Sequence, residues 1–318
     1  RPARQSFTGG FITRTLPAAL LTDLQQLSQQ AGATLYMTLL AAFQLLLHRY
    51  SQQKTILVGT PIANRQRPET KDVIGMFINT LVMRADLSQP LTFRQLLDQV
   101  RQTALDAFAN QDLPFDRLVQ ALEVERHLSH NPLFQTMFVY QSTAVVRSLP
   151  GLTFAPLPVD SGVAKFDLTL FAGEENGRLA IALEYSSDLF EQDTVARMLG
   201  HWHTLLTAIV AQPDTPVIDL PLLTPAERTQ IFEAWNDTAV PLPTDQTILD
   251  LIETHAQEQP DAPAVIFGDT QLTYAELNGR AAHLAARLQN QGIQPGDLVA
   301  LAVPRSLEMA VGIIGILK

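Results

Sequence analysis

The sequence predicts an α/β protein in two unequal parts, on three observations. Amphipathic helical patterns and short β-branched runs are mixed through residues 1–210. Proline then concentrates at 213, 216, 221, 225, 241 and 243. Beyond Thr247, strand and helix patterns alternate again. The chain therefore divides into 1–210, a linker at 211–245 with one packed helix inside it, and an incomplete α/β unit at 246–318. A length of 318 residues agrees with about two domains.

The first part reads as long helices covering a sheet. Residues 16–31 carry apolar side chains at 20, 21, 24, 27 and 31, with Pro17 at the start and Gly32 past the end, which is the punctuation of an amphipathic helix. Thr34 caps a helix over 35–50 that is apolar almost all round, and such a helix is buried on most sides. Residues 55–60 and 77–86 read as strands. Thr92 opens a helix with Phe93, Leu96, Leu97, Val100, Ala104 and Phe108 on one face. A short helix is expected at 114–122, with Asp112 as its N-cap, then a strand at 134–141. Residues 166–172 and 178–185 flank Glu-Glu-Asn-Gly and predict a hairpin, and 191–210 a helix.

One run asks a question of its own. Ile-Gly-Met-Phe-Ile-Asn-Thr-Leu-Val-Met-Arg at 74–84 has the apolarity of a buried strand, yet Asn79-Thr80 sits at its centre. Neighbours on a strand face opposite sides, so either the pair is a local backbone device or the strand lines something that needs a hydrogen bond.

In the linker, Thr224-Pro-Ala-Glu227 forms a capping box with Pro at the first helical position. Beyond it, helices at 248–258, 275–290 and from 306 alternate with strands at 263–267, 271–274 and 297–303. That order predicts a parallel or mixed sheet.

Composition removes several classes of function. A formal net charge of −10 without a basic block argues against nucleic-acid binding. The absence of Cys excludes disulfides, thiolate metal sites and Cys nucleophiles, and fits a reducing, cytoplasmic setting. The apolar stretch 298–318 contains Pro304, Arg305 and Glu308 and is a poor membrane span. Both ends read as cuts through a longer polypeptide. His201 and His203 lie two apart on a helix, so they face different sides and cannot share one metal ion; they read as solvated or helix-end histidines. No HExxH, GxSxG, P-loop or GxGxxG motif is present.

Three segments carry more. They are 74–84, Asn110-Gln-Asp-Leu-Pro-Phe-Asp116, and Ser129-His-Asn-Pro-Leu-Phe134 with Arg126 just before it. Gly59-Thr-Pro-Ile-Ala-Asn-Arg65 precedes them, and Lys165-Phe-Asp-Leu168, Glu184-Tyr185 and Asp188-Leu-Phe190 follow. In order and spacing these resemble the C-terminal motifs of condensation domains from nonribosomal peptide synthetases, over about half of such a domain. Leu272-Thr-Tyr-Ala-Glu-Leu277 resembles the first core motif of the adenylation domain in the same synthetases, and Gly315-Ile-Leu-Lys318 the opening of its second.

The resemblance implies a chloramphenicol-acetyltransferase-like lobe, a Pro-rich linker and the N-terminal part of an adenylate-forming domain. It implies a place in an elongation module that joins carrier-bound acyl or peptidyl and aminoacyl thioesters. The HHxxxDG motif of that family lies in its first lobe, and this chain has no adjacent His pair. No catalytic residue is therefore assigned, and the chain is expected to be inactive alone. Arg65 is expected to pair with the Asp of HHxxxDG as an organiser of the site; without the family it reads as a surface Arg beside Arg67. Asn79 and Asn131 are the other expected supports, although Asn131-Pro132 reads first as a turn with Ser129 as a local hydrogen-bonding residue. The implied partners are upstream and downstream peptidyl carrier domains and the N-terminal condensation lobe, with neither nucleic acid nor membrane. The implied cofactors are phosphopantetheine on the carriers, with ATP and Mg for adenylation, none held by this segment. Epimerization and heterocyclization domains share the fold, and an adenylation start attached directly argues against the former. A non-catalytic module that docks carriers is the rival reading. An acyl-CoA-ligase-type enzyme would leave the motifs at 74–134 unexplained.

Overall fold

A computed structural model describes residues 1–125, 127–141, 152, 161–241 and 245–318. Arg126 and Pro243, both used in the sequence reading, lie outside them. The chain forms two compact units, 1–236 and 237–318.

The first unit is built on a six-stranded mixed sheet. Its strands are β1 (Gly9–Leu16), β2 (Thr55–Ile62), β3 (Asn79–Asp86), β4 (Thr136–Tyr140), β5 (Leu168–Glu175) and β6 (Arg178–Ser186), in the order β1-β6-β5-β4-β2-β3. β4 runs parallel to β2 and to β5, and the remaining pairs are antiparallel. The β5–β6 hairpin closes through Asn176 and Gly177, both at positive φ (50° and 71°), the backbone of a two-residue turn that follows strand twist.

Four helices cover one face: α1 (Ala18–Gln30), α2 (Leu35–Ser51), α3 (Phe93–Ala109) and α5 (Gln192–Ala211). Residues 37–47 of α2 are all buried, as its unbroken apolar pattern requires. The strands divide their side chains by the two-residue period. Ile56, Val58, Phe138, Leu168 and Leu170 enter the helix-covered core. Leu57, Met137, Val139 and Phe171 point to the other face, where a smaller apolar cluster gathers around Phe134.

The first helical patterns fall where the sequence places them. Thr34 accepts the Met37 amide, and Thr92 and Gln95 complete a capping box. β1 is an addition. It is an edge strand with few residues turned to the core, so its alternation is faint in the sequence.

The run 74–84 departs from expectation. β3 starts only at Asn79, where the ladder with Ile62 begins. Ile74, Met76 and Ile78 are exposed, because 74–78 has no ladder partner among the described residues.

The Pro-rich stretch after α5 packs on the first unit: Val217 and Leu220 are buried in its core. Arg49 donates to the Val217 and Leu220 carbonyls at 3.2 and 2.9 Å. The capping-box helix follows as α6 (Pro225–Phe232).

The second unit contains α7 (Ile248–Glu258), β7 (Pro263–Phe267), β8 (Thr270–Thr273), α8 (Tyr274–Asn290) and α9 (Leu307–Leu317). Its sheet is the antiparallel β7–β8 pair, not the parallel or mixed sheet expected. Residues 297–303 form no strand, since no described strand lies alongside them to complete a ladder. Leu298 is fully exposed there, while Leu301 packs on Gly312 of α9.

Among the described residues no single helix is long and apolar enough to cross a membrane; α1 and α2 pass such a test only as a pair bent by 102°.

Candidate functional site

The motif segments converge on the sheet face opposite α1, α2, α3 and α5. Asn79, the first residue of β3, explains how. Its Nδ2 donates to the carbonyls of Gln111 (2.9 Å) and Leu113 (2.8 Å), and its Oδ1 accepts the amide of Phe115 (3.1 Å). One amide side chain thus folds the loop 111–115 and supplies the cap of helix α4 (Phe115–Ala121). This corrects the expected cap. Pro114 stands at the N-cap position without a side-chain bond, and Asp112 is exposed. The cap is a side chain from another element, which no local window can reveal.

Phe115, the first residue of α4, packs against Phe134 at a tilt of 57° with ring centroids 5.5 Å apart, and Phe166 stacks on the same ring at 5.6 Å. The Cε2–Cζ edge of the Phe134 ring lies against Gly59 of β2, where a Cβ would fall inside the ring's van der Waals envelope. Phe134 reaches this place through a tight turn. Its amide bonds the Pro132 carbonyl at 2.8 Å and Leu133 takes φ +65°, a conformation that costs a bulky residue about 1–3 kcal/mol. Burial of Phe134, 3% exposed, offsets that cost.

Asn131 secures the other flank. Its Nδ2 donates to the Lys165 carbonyl at 3.0 Å, and its own carbonyl accepts Gln135 Nε2 at 3.0 Å. Ser129 meets His130 Nδ1 at 3.0 Å, the local bond expected of it. Asp167 pairs with Arg1, and its amide bonds the Gln135 carbonyl at 2.9 Å.

Arg65 follows β2 and binds its own loop. Nη1 donates to the Thr70 carbonyl and to Val73 O at 2.8 Å, and Nη2 to Gly75 O at 2.8 Å. The guanidinium stacks on Phe77, 4.4 Å from the ring centre. Arg65 therefore shapes the segment that carries exposed Ile74, Met76 and Ile78. Asn79 and Arg65 flank the face, and an open cleft of about 670 Å³ is lined by α4 itself (Asp116, Arg117, Val119, Gln120) and its flanks Pro114, Glu123 and Val124.

A second polar assembly lies elsewhere on the unit, and sequence reasoning missed it. His201 is 7% exposed, contrary to the solvated or helix-end histidine expected. Tyr50 Oη lies 2.6 Å from its Nδ1, and Glu227 of α6 lies 2.9 and 3.0 Å from its Nε2. Burial, then the Glu227 charge, pushes the Tyr50 phenol up to about 12. The phenol therefore keeps its proton and donates to Nδ1, which leaves Nε2–H to donate to the carboxylate. Burial opposes the Glu227 charge, but the Thr224 hydroxyl and amide and His201 together hold its carboxyl below the usual range. His203 faces elsewhere, and burial, with Arg14 beside it, lowers its pKa.

No group of three or more potential metal-ligating His, Asp or Glu side chains gathers among the described residues. Residues 237–318 contain no Gly-rich phosphate-loop motif.

This lobe architecture, with its motif segments drawn to one sheet face, defines a class, and comparison with known proteins agrees. The chain belongs to the Condensation domain family, which matches residues 1–232, and residues 252–318 match the AMP-binding enzyme family. It is similar to linear gramicidin synthase subunits C and D of Brevibacillus parabrevis, 47% and 48% identical over 321 residues. These alignments cover all of this chain but 4% and 6% of those proteins. A four-domain nonribosomal peptide synthetase bound to AMP and glycine matches 99% of this chain and 25% of its own, with TM-score 0.84 and 26% identity. The X-domain from teicoplanin biosynthesis, in complex with OxyB, matches 70% of this chain and 50% of its own, with TM-score 0.65 and 26% identity.

Proposed function

We propose that this chain serves a nonribosomal peptide synthetase elongation module, in which 1–210 is the C-terminal part of a condensation domain, 211–245 the linker and 246–318 the opening of an adenylation domain. The observation that carries this reading is the convergence of the motif segments, tied by Asn79 and packed around Phe134. In this reading the face bearing Arg65, Asn79 and Asn131 is the supporting wall of a condensation site. A second lobe with the HHxxxDG histidines closes over it, and peptidyl carriers present phosphopantetheine thioesters from either side. Condensation needs an amine positioned for attack and a stabilised oxyanion, and this wall contributes position. Arg65, already ordered by three backbone carbonyls, would offer its remaining N–H groups to the HHxxxDG carboxylate. ATP and Mg would act on the remainder of the adenylation domain.

The reading is tested with the chain alone and in a full module. The 318-residue chain should show neither peptide-bond formation nor amino-acid-dependent ATP–pyrophosphate exchange. Exchange by the chain alone would overturn the adenylation boundary. A module containing this chain should make a peptide bond between carrier-bound substrates, and failure of a well-folded module would overturn the condensation reading. The similarity to an X-domain found in complex with OxyB favours a second reading, a lobe that docks a partner without chemistry. Carrier binding without condensation in the same assay would select it.

A further inference from the structure

We propose that Phe134 is a positioning residue, a spacer of fixed thickness that sets the distance between β2 and α4 across the candidate site. The inference deepens the condensation reading and rests on it. A closed circuit of contacts carries it. Gly59 of β2 receives the Phe134 ring, and Phe134 meets the Phe115 ring at a tilt of 57°, centroids 5.5 Å apart. The Phe115 amide is held by Asn79 at 3.1 Å, and Asn79 pairs with Ile62, back on β2. Arg65 lies three residues beyond Ile62. Every link is short, so the Arg65 side and the α4 side of the face move together only while the ring fills the gap.

Two features distinguish this from ordinary packing. The ring meets a glycine, so the strand comes as close to it as a backbone can. The turn that delivers it holds Leu133 at φ +65°, an unfavourable conformation kept at a motif position. Phe166 stacked on the ring, at 5.6 Å, and the Asn131 bond to Lys165 hold it in place.

The circuit is tested with a reciprocal pair. Phe134→Leu thins the spacer, and Gly59→Ala thickens the strand beneath it. In a full module containing this chain, each single variant should lower the condensation kcat about tenfold to a hundredfold. KM for the carrier-bound acceptor should stay within about threefold, because the spacer positions reacting groups and does not bind the carrier. The double variant, in which the added methyl fills the space the ring gave up, should recover most of the loss. ATP–pyrophosphate exchange should be the same in all four proteins. In the 318-residue chain, hydrogen exchange at 115–121 should quicken in both singles and slow again in the double. Unchanged exchange at 115–121 in both singles overturns the proposal, and so does a kcat loss that simply tracks melting temperature through the series. An unmutated module that folds but does not condense overturns the condensation reading instead, while the exchange measurement still judges the spacer.

Discussion

His201 on α5 and Glu227 on α6 meet at 2.9 and 3.0 Å, and Tyr50 on α2 completes the relay from the other side of the imidazole. α6 is only eight residues long and has no buried residue. Helices of that length are marginal in isolation, so its docking depends on few contacts. His201→Ala should remove about 1–3 kcal/mol. Amide exchange at 225–232 should rise while β5 and β6 keep their protection. Slow exchange in α6 of the variant would show that the relay is not what docks it.

The same pair gives a pH dependence with a definite sign. The Glu227 carboxyl is held below its ordinary value in the folded state. Its contribution is therefore complete above the unfolded value of about 4.3, and is lost as pH falls through the depressed folded value. Denaturation measured from pH 7 to 3 should show this component disappear in acid. Glu227→Gln should flatten that component, and an unchanged acid slope would refute the assignment.

Asn79→Ala should loosen the loop 111–115 and the start of α4, since three backbone groups lose their partner together. The expected cost is about 1–3 kcal/mol, read from chemical denaturation. Asn79→Asp should not rescue it, because a carboxylate cannot donate to the Gln111 and Leu113 carbonyls.

In a full module, Arg65→Ala should reduce condensation and leave adenylation intact. Its three carbonyl contacts add that Arg65→Lys should also fail, since an ammonium cannot span Thr70, Val73 and Gly75 in one plane. Equal loss of both activities would indicate general unfolding.

Gln52 caps α2 in the left-handed region, with φ 60° and ψ 10°. Gln52→Gly should raise stability by about 0.5–1 kcal/mol, because the conformation disfavours a side chain. A lowered melting temperature would mean that the Gln52 bond to the Arg49 carbonyl outweighs the strain.

Periodicity and punctuation were enough to read α1, α2, α3, the β5–β6 hairpin and the capping box of α6, because each is decided by residues a few positions apart. The motif order was legible for the same reason, and it led to the family. The roles of individual residues were not. Asn79 reaches loop groups more than thirty positions away, Phe134 rests on a glycine of a distant strand, and His201 joins residues 50 and 227. The stretches at 74–78 and 297–303, which form no strand, show the same limit from the other side. Their sequences suit strands, but a strand exists only when a neighbour takes its backbone hydrogen bonds. Local chemistry decides which backbone each segment prefers. Which polar groups find partners, and which side chains come together as a site, is decided when segments remote in sequence close on one another and must satisfy what they bury.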